Sequence, residues 1–182
     1  MKKFVLFLAA AMLLCGMATM NSCKSDDPNK DDETTVYDPA KDGIVGEWLS
    51  EGDNVATLLS MYFQVEKLEA NFKADKTYIV NQYNKDGTSN VLTGTYQQAK
   101  STTGNIWTIV VNQSGGGATT VTSEGIFEVT KEGDGYTMKY EIVQTSPALS
   151  TAPPTPEGGF GSSGGGSLGT DNIQKFVRVE KK

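Results

Sequence analysis

From residue 65 onward, apolar and polar positions alternate in short runs separated by turn residues, the period-2 signature of half-buried strands. Val65–Phe72 places Leu68, Ala70 and Phe72 on one face, and Ala74-Asp75 then turns the chain into Thr77–Tyr83, rich in strand formers. Asp86-Gly87, a strong hairpin signal, leads to Asn90–Gln97. Asn105–Asn112 is apolar on both faces, and Ser114-Gly115-Gly116-Gly117 breaks it. Val121–Thr130 aligns Val121, Phe127 and Val129. Tyr136–Val143 alternates most cleanly, with Tyr136, Met138, Tyr140 and Ile142 against Thr137, Lys139 and Glu141. Asn172–Val179 is the last strand expected, and Gly43–Ser50 the first. Between residues 54 and 63 the period changes: Val55, Leu58, Leu59 and Tyr62 fall at helical spacing, so one short helix is expected, with Asp53 or Asn54 as its N-cap.

Eight strands joined mostly by short links pair antiparallel with their sequence neighbours. An antiparallel up-and-down β-barrel lets such a meander remove its edges. The fold class expected is therefore all-β, an eight-stranded barrel with one short helix and one long loop. That loop is Gln144–Asp171, a 28-residue connection that is proline-rich first and then has seven glycines in the twelve residues from Gly158 to Gly169. Loops of this length in compact domains are functional or disordered. Leu149, Phe160 and Leu168 are its apolar contact points, able to anchor it at a barrel mouth as a lid; a loose insertion is the other reading.

The first 22 residues follow another pattern. Lys2 and Lys3 precede an apolar run, Phe4 to Leu14, that is shorter than the ~20 residues a spanning helix needs, and Met20-Asn21-Ser22-Cys23 closes the segment. A basic start, a short apolar core and a small residue before the cleavage point make a secretory signal. Removing residues 1–22, which hold two lysines and no acid, leaves 14 basic against 22 acidic residues. Seven of those acids lie in residues 24–42 beside three lysines, with Val36 and Tyr37 the only large apolar residues. Such a segment is a tether. Residues 43–182 then form one domain, long enough to bury a core. Its acidic balance argues against nucleic acid, which requires a basic surface.

The chain has no histidine and two cysteines, Cys15 and Cys23. Both precede residue 43, so the domain has no thiolate for zinc, and the commonest general base is missing. No metal, no cofactor and no catalytic residue is expected. Gly159-Phe160-Gly161-Ser162-Ser163-Gly164 spells a dinucleotide fingerprint, but no strand precedes it and no helix follows, so it carries no such function. Glu124 and Glu128 fall on the face opposite Phe127 and Val129, where solvated charge is expected.

Three resemblances sharpen the picture. Ser22-Cys23 after the apolar run resembles a bacterial lipoprotein signal, which implies a membrane anchor through acylated Cys23. Ser25-Asp26-Asp27 resembles the acidic signal that sends some Gram-negative lipoproteins to the exterior face of the outer membrane. Gly46-Glu47-Trp48 on the first strand resembles the Gly-x-Trp signature of lipocalins and their calycin relatives, in which the Trp plugs one barrel end. The lipocalin-like resemblance implies a non-catalytic module holding a small amphipathic or apolar ligand. Candidate ligand-binding residues are Trp48, Phe72, Tyr78, Tyr83, Trp107, Tyr136 and Tyr140, since Tyr and Trp combine stacking area with a polar handle. Packing of the interior by these same rings is the alternative. A second functional reading is a surface protein partner, bound through loop 144–171.

Overall fold

The computed structural model describes residues 36–114 and 120–180. The signal segment, Cys23 and the acidic stretch to Thr35 lie outside these residues, as does the glycine turn at 115–117. A compact unit begins at Val36. It is a closed barrel of eight strands in sequence order: β1 (Gly46–Glu51), β2 (Val65–Phe72), β3 (Thr77–Asn84), β4 (Ser89–Lys100), β5 (Trp107–Gln113), β6 (Val121–Glu132), β7 (Gly135–Ser146) and β8 (Gln174–Arg178). Every neighbour pair is antiparallel, and β1 closes on β8 through Trp48↔Arg178 and Leu49↔Val177. The all-β, eight-stranded up-and-down barrel expected from the alternation is the fold observed.

Turn chemistry sets the hairpins. Asp75 Oδ1 accepts from the Thr77 amide (2.9 Å) and hydroxyl (2.6 Å), and Asp86 Oδ1 accepts from Thr88 in the same way (2.9 and 2.6 Å). An Asp that bonds two residues on is a local substitute for a backbone turn. Neighbouring strands come close at two glycines: a Cβ would stand 2.0 Å from the Asn112 carbonyl oxygen at Gly94 on β4, and 2.0 Å from the Glu141 carbonyl oxygen at Gly125 on β6. Only glycine fits there.

The short helix α1 (Pro39–Asp42) and residues 36–38 belong to this unit rather than to the tether. The reason is Tyr37, whose ring meets Tyr136 edge-on at 4.9 Å and Trp48 at 6.3 Å, and whose hydroxyl donates to the Gly43 carbonyl. Helix α2 (Thr57–Tyr62) occupies the β1–β2 connection as expected, but neither Asp53 nor Asn54 caps it. Residues 52–54 form a separate 3-10 turn, and Ala56 holds the N-cap position without a side-chain cap. The Ala56 amide instead donates to Gln174 Oε1 (2.9 Å) on β8, a partner 118 residues away.

One end of the barrel is plugged. Trp48 is 1% exposed and its indole N–H donates to the Ile44 carbonyl at 2.7 Å. Arg178 spreads its guanidinium 3.6 Å above the Tyr37 ring centroid and 5.7 Å from that of Trp48, and donates to the Val45 carbonyl at 2.9 Å. That placement explains Gly46, where a Cβ would lie 2.1 Å from Arg178 Nη1. Gln98 finishes the plug by accepting from the Ile44 amide (2.9 Å) and donating to the Asp42 carbonyl (3.0 Å).

Candidate functional site: a cavity at the open end

The opposite end holds a cavity of about 230 Å³. Its walls follow strand parity. Leu68, Ala70 and Phe72 come from β2, Tyr78, Val80 and Gln82 from β3, and Val111 and Gln113 from β5. Tyr140 and Ile142 of β7 face Gln174 and Phe176 of β8, while Ala56 and Leu59 of the α2 segment and Asn172 of the long connection reach in at the mouth. Gln174 organises that mouth: besides accepting from Ala56 it donates to the Ser50 hydroxyl and to the Asn54 carbonyl (3.0 Å).

Of the seven aromatic residues singled out in the sequence, the structure brings Phe72, Tyr78 and Tyr140 together on the cavity wall. Phe72 stacks on Tyr78 with centroids 5.8 Å apart, and Tyr140 meets Phe176 edge-on at 6.1 Å. Trp48, Trp107 and Tyr136 do not reach the cavity. Trp48 and Tyr136 belong to the plug around Tyr37, and Trp107 stacks on Phe127 at 5.8 Å. Tyr83 is on the outside of the barrel. An odd spacing from Tyr78 turns it to the other face of β3, where its hydroxyl donates to Glu69 Oε2 (2.8 Å) and Lys67 sits 4.1 Å over its ring. Lys67 and Tyr83 hold the Glu69 carboxyl below the usual range. Beside this group an open depression of about 630 Å³ runs between Glu51, Lys67, Tyr83 and Thr88, too exposed to desolvate a ligand.

The long connection does not cover the mouth as a flap. It folds back along the outer wall, fastened by a residue that the sequence reading did not single out. Glu141 faces outward from β7 yet is 0% exposed. Its carboxylate accepts from the Gly161 amide (2.6 Å), the Ser163 amide (3.2 Å) and the Ser163 hydroxyl (2.5 Å). Asn172 adds bonds to the Ile142 carbonyl (3.0 Å) and Ser163 Oγ (3.2 Å). Ile126 and Val143, outward-facing on β6 and β7, are buried along with Glu141. Leu149 is 63% exposed, so it anchors nothing; Phe160 lies half-buried with Lys139 Nζ 5.8 Å from its ring, and Leu168 is half-buried before the 3-10 turn Gly169–Asn172. Glu124 is half-buried on the same outer wall and accepts from the Thr145 hydroxyl at 3.0 Å.

The glycine-rich letters therefore do hold an acidic group, but it is the protein's own Glu141 side chain. Gly161-Ser162-Ser163-Gly164-Gly165 also spells the Gly-x-Ser-x-Gly of a hydrolase nucleophile turn. Ser163 is 0% exposed and spends its hydroxyl on Glu141, so no substrate reaches it. Among the described residues no cluster of three or more His, Cys, Asp or Glu side chains could hold a metal ion, and no helix is long and apolar enough to cross a membrane. No protein-family model, curated protein or solved structure matches this chain.

Proposed function

We propose that this chain is a non-catalytic, lipid-anchored surface protein whose lipocalin-like barrel binds one small, largely apolar molecule. The observation that carries the reading is the asymmetry of the barrel: one end is sealed by Trp48, Tyr37 and Arg178, and the other opens on a largely apolar, aromatic-walled cavity. The position of Gly46-Glu47-Trp48 at the sealed end supports the likeness to lipocalins. At about 230 Å³ the cavity falls below the ~300–1,000 Å³ of drug-sized sites, which fits a single ring or a short acyl chain.

Titration with toluene, followed by methyl NMR, tests the location. The resonances of Leu68, Val80, Val111 and Ile142 are expected to shift, while Ile44 and Val129 at the plugged end stay put. Shifts confined to the plugged end, or none, would remove the reading. The anchor has its own check: a Cys23→Ser variant should leave the membrane fraction and take up no labelled palmitate, because two or three acyl chains at ~0.8 kcal/mol per methylene are what hold such a protein. Unchanged labelling would rule out Cys23 as the acylated residue.

A second reading, a protein partner engaged beside loop 144–171, has one observation in its favour. Met61, Tyr62 and Phe63 stand 62%, 75% and 66% exposed at the end of α2, which packs beside the last turn of that loop. A contiguous exposed apolar group of this kind marks interaction surfaces.

A further inference from the structure

We propose that the cavity selects an uncharged molecule whose hydrogen-bond acceptor is taken by the hydroxyls of Tyr78 and Tyr140. The inference rests on the binding function proposed above and narrows it to a ligand class.

The chain has seven tyrosines, and their hydroxyls divide sharply. Tyr37 donates to Gly43, Tyr83 to Glu69, Tyr96 to the Lys73 carbonyl at 2.7 Å, and Tyr136 to the Tyr37 carbonyl at 3.4 Å. Tyr62 is 75% exposed and meets solvent. Tyr78 and Tyr140 alone are on the cavity wall, and neither hydroxyl has a partner among the described residues. Tyr78 is only 4% exposed and Tyr140 is half-buried, yet neither phenol oxygen is among the fully buried side-chain atoms, so both open onto accessible space, which for these two side chains is the cavity. A phenol whose ring is packed in a wall and whose hydroxyl faces a cavity takes its hydrogen-bond partner from whatever fills that cavity. The occupant of the cavity is the available source.

Charge decides which acceptor. No Asp, Glu, Lys or Arg lines the cavity. A carboxylate bound there would be stripped of water with no cation to offset the loss, whereas a ketone, ester or alcohol loses far less. Burial pushes the Tyr78 phenol up to about 12 and raises that of Tyr140 further, with Tyr78 adding to the rise. Both groups thus stay protonated as donors and share one largely apolar space, whose other polar wall groups are the neutral Gln82, Gln113, Ser123, Asn172 and Gln174. The surrounding rings of Phe72 and Phe176 suit a flat or compact body.

Three probes of similar size test this on the full chain, with the methyl shifts of the cavity wall as readout. Acetophenone carries a neutral acceptor, ethylbenzene carries none, and benzoate carries a charge. Acetophenone is expected to bind tightest. Tyr78→Phe and Tyr140→Phe, which keep the rings, should each weaken acetophenone by about five- to tenfold, as loss of one hydrogen bond does, and leave ethylbenzene unchanged. Ethylbenzene or benzoate binding as tightly as acetophenone would overturn the acceptor assignment, with the cavity still a binding site. So would Tyr→Phe variants that bind acetophenone undiminished. If none of the three moves the cavity methyls, the assignment and the binding function both fall.

Discussion

Truncating Trp48 to alanine is expected to remove about 3–5 kcal/mol of stability, the usual range for a large buried aromatic. The side chain is 1% exposed, sits edge-on to Tyr37, lies under Arg178 and donates to the Ile44 carbonyl. Its loss opens a void in the plugged end and leaves that carbonyl without its donor. Chemical denaturation followed by the fluorescence of Trp107, the other tryptophan, measures the change directly. A loss below ~1 kcal/mol, typical of surface positions, would mean that the plug does not hold the barrel end.

Glu141→Ala is expected to cost about 2–4 kcal/mol and to free the long connection from the wall. The Gly161 and Ser163 amides both lose their acceptor, and a buried donor left unpaired costs ~1–3 kcal/mol. The Ser163 hydroxyl can rotate, so it is not counted. Relief of the buried carboxylate offsets part of the loss, which keeps the figure below that of Trp48. Hydrogen exchange should show protection vanishing at Gly161 and Ser163 while the β2–β3 hairpin keeps its own. Retained protection at those two amides would show that the loop is fastened by other contacts.

What the sequence made legible was whatever depends on local period. Alternation placed most of the strands, because a strand that buries one face writes its register into every second residue, while Thr77–Tyr83 was marked by its strand formers and Asn105–Asn112 by an apolar run bounded by turns. The same parity argument, applied to Tyr83, already separates it from Tyr78 and would have kept it off the cavity wall. Other features were set by partners far along the chain. The start of α2 is fixed by Gln174, so no nearby Asp or Asn marks it. Glu141 reads as a solvent-face charge in the Tyr136–Val143 alternation, and only the fold of residues 147–173 buries it. Tyr37 looks like an isolated aromatic in an acidic tether until Arg178, 141 positions later, supplies the surface on which it packs. Within the cavity, the choice among seven aromatic candidates depended on which barrel end each strand reaches, a question of register and tilt that composition does not answer.

The polar fastening of the long connection changes what the loop is good for. Held to the outer wall by Glu141 and to the mouth by Asn172, it shapes the rim without closing over it. Access to the cavity then depends on α2 and on Gln174, which ties that segment to β8.

The most direct measurement of the central claim is an anomalous difference map from crystals exposed to bromobenzene. The account predicts one principal bromine peak inside the barrel, walled by Phe72, Val80, Val111, Tyr140 and Phe176. A principal peak on the exposed Met61, Tyr62 and Phe63 surface, or no peak within the barrel, would contradict it.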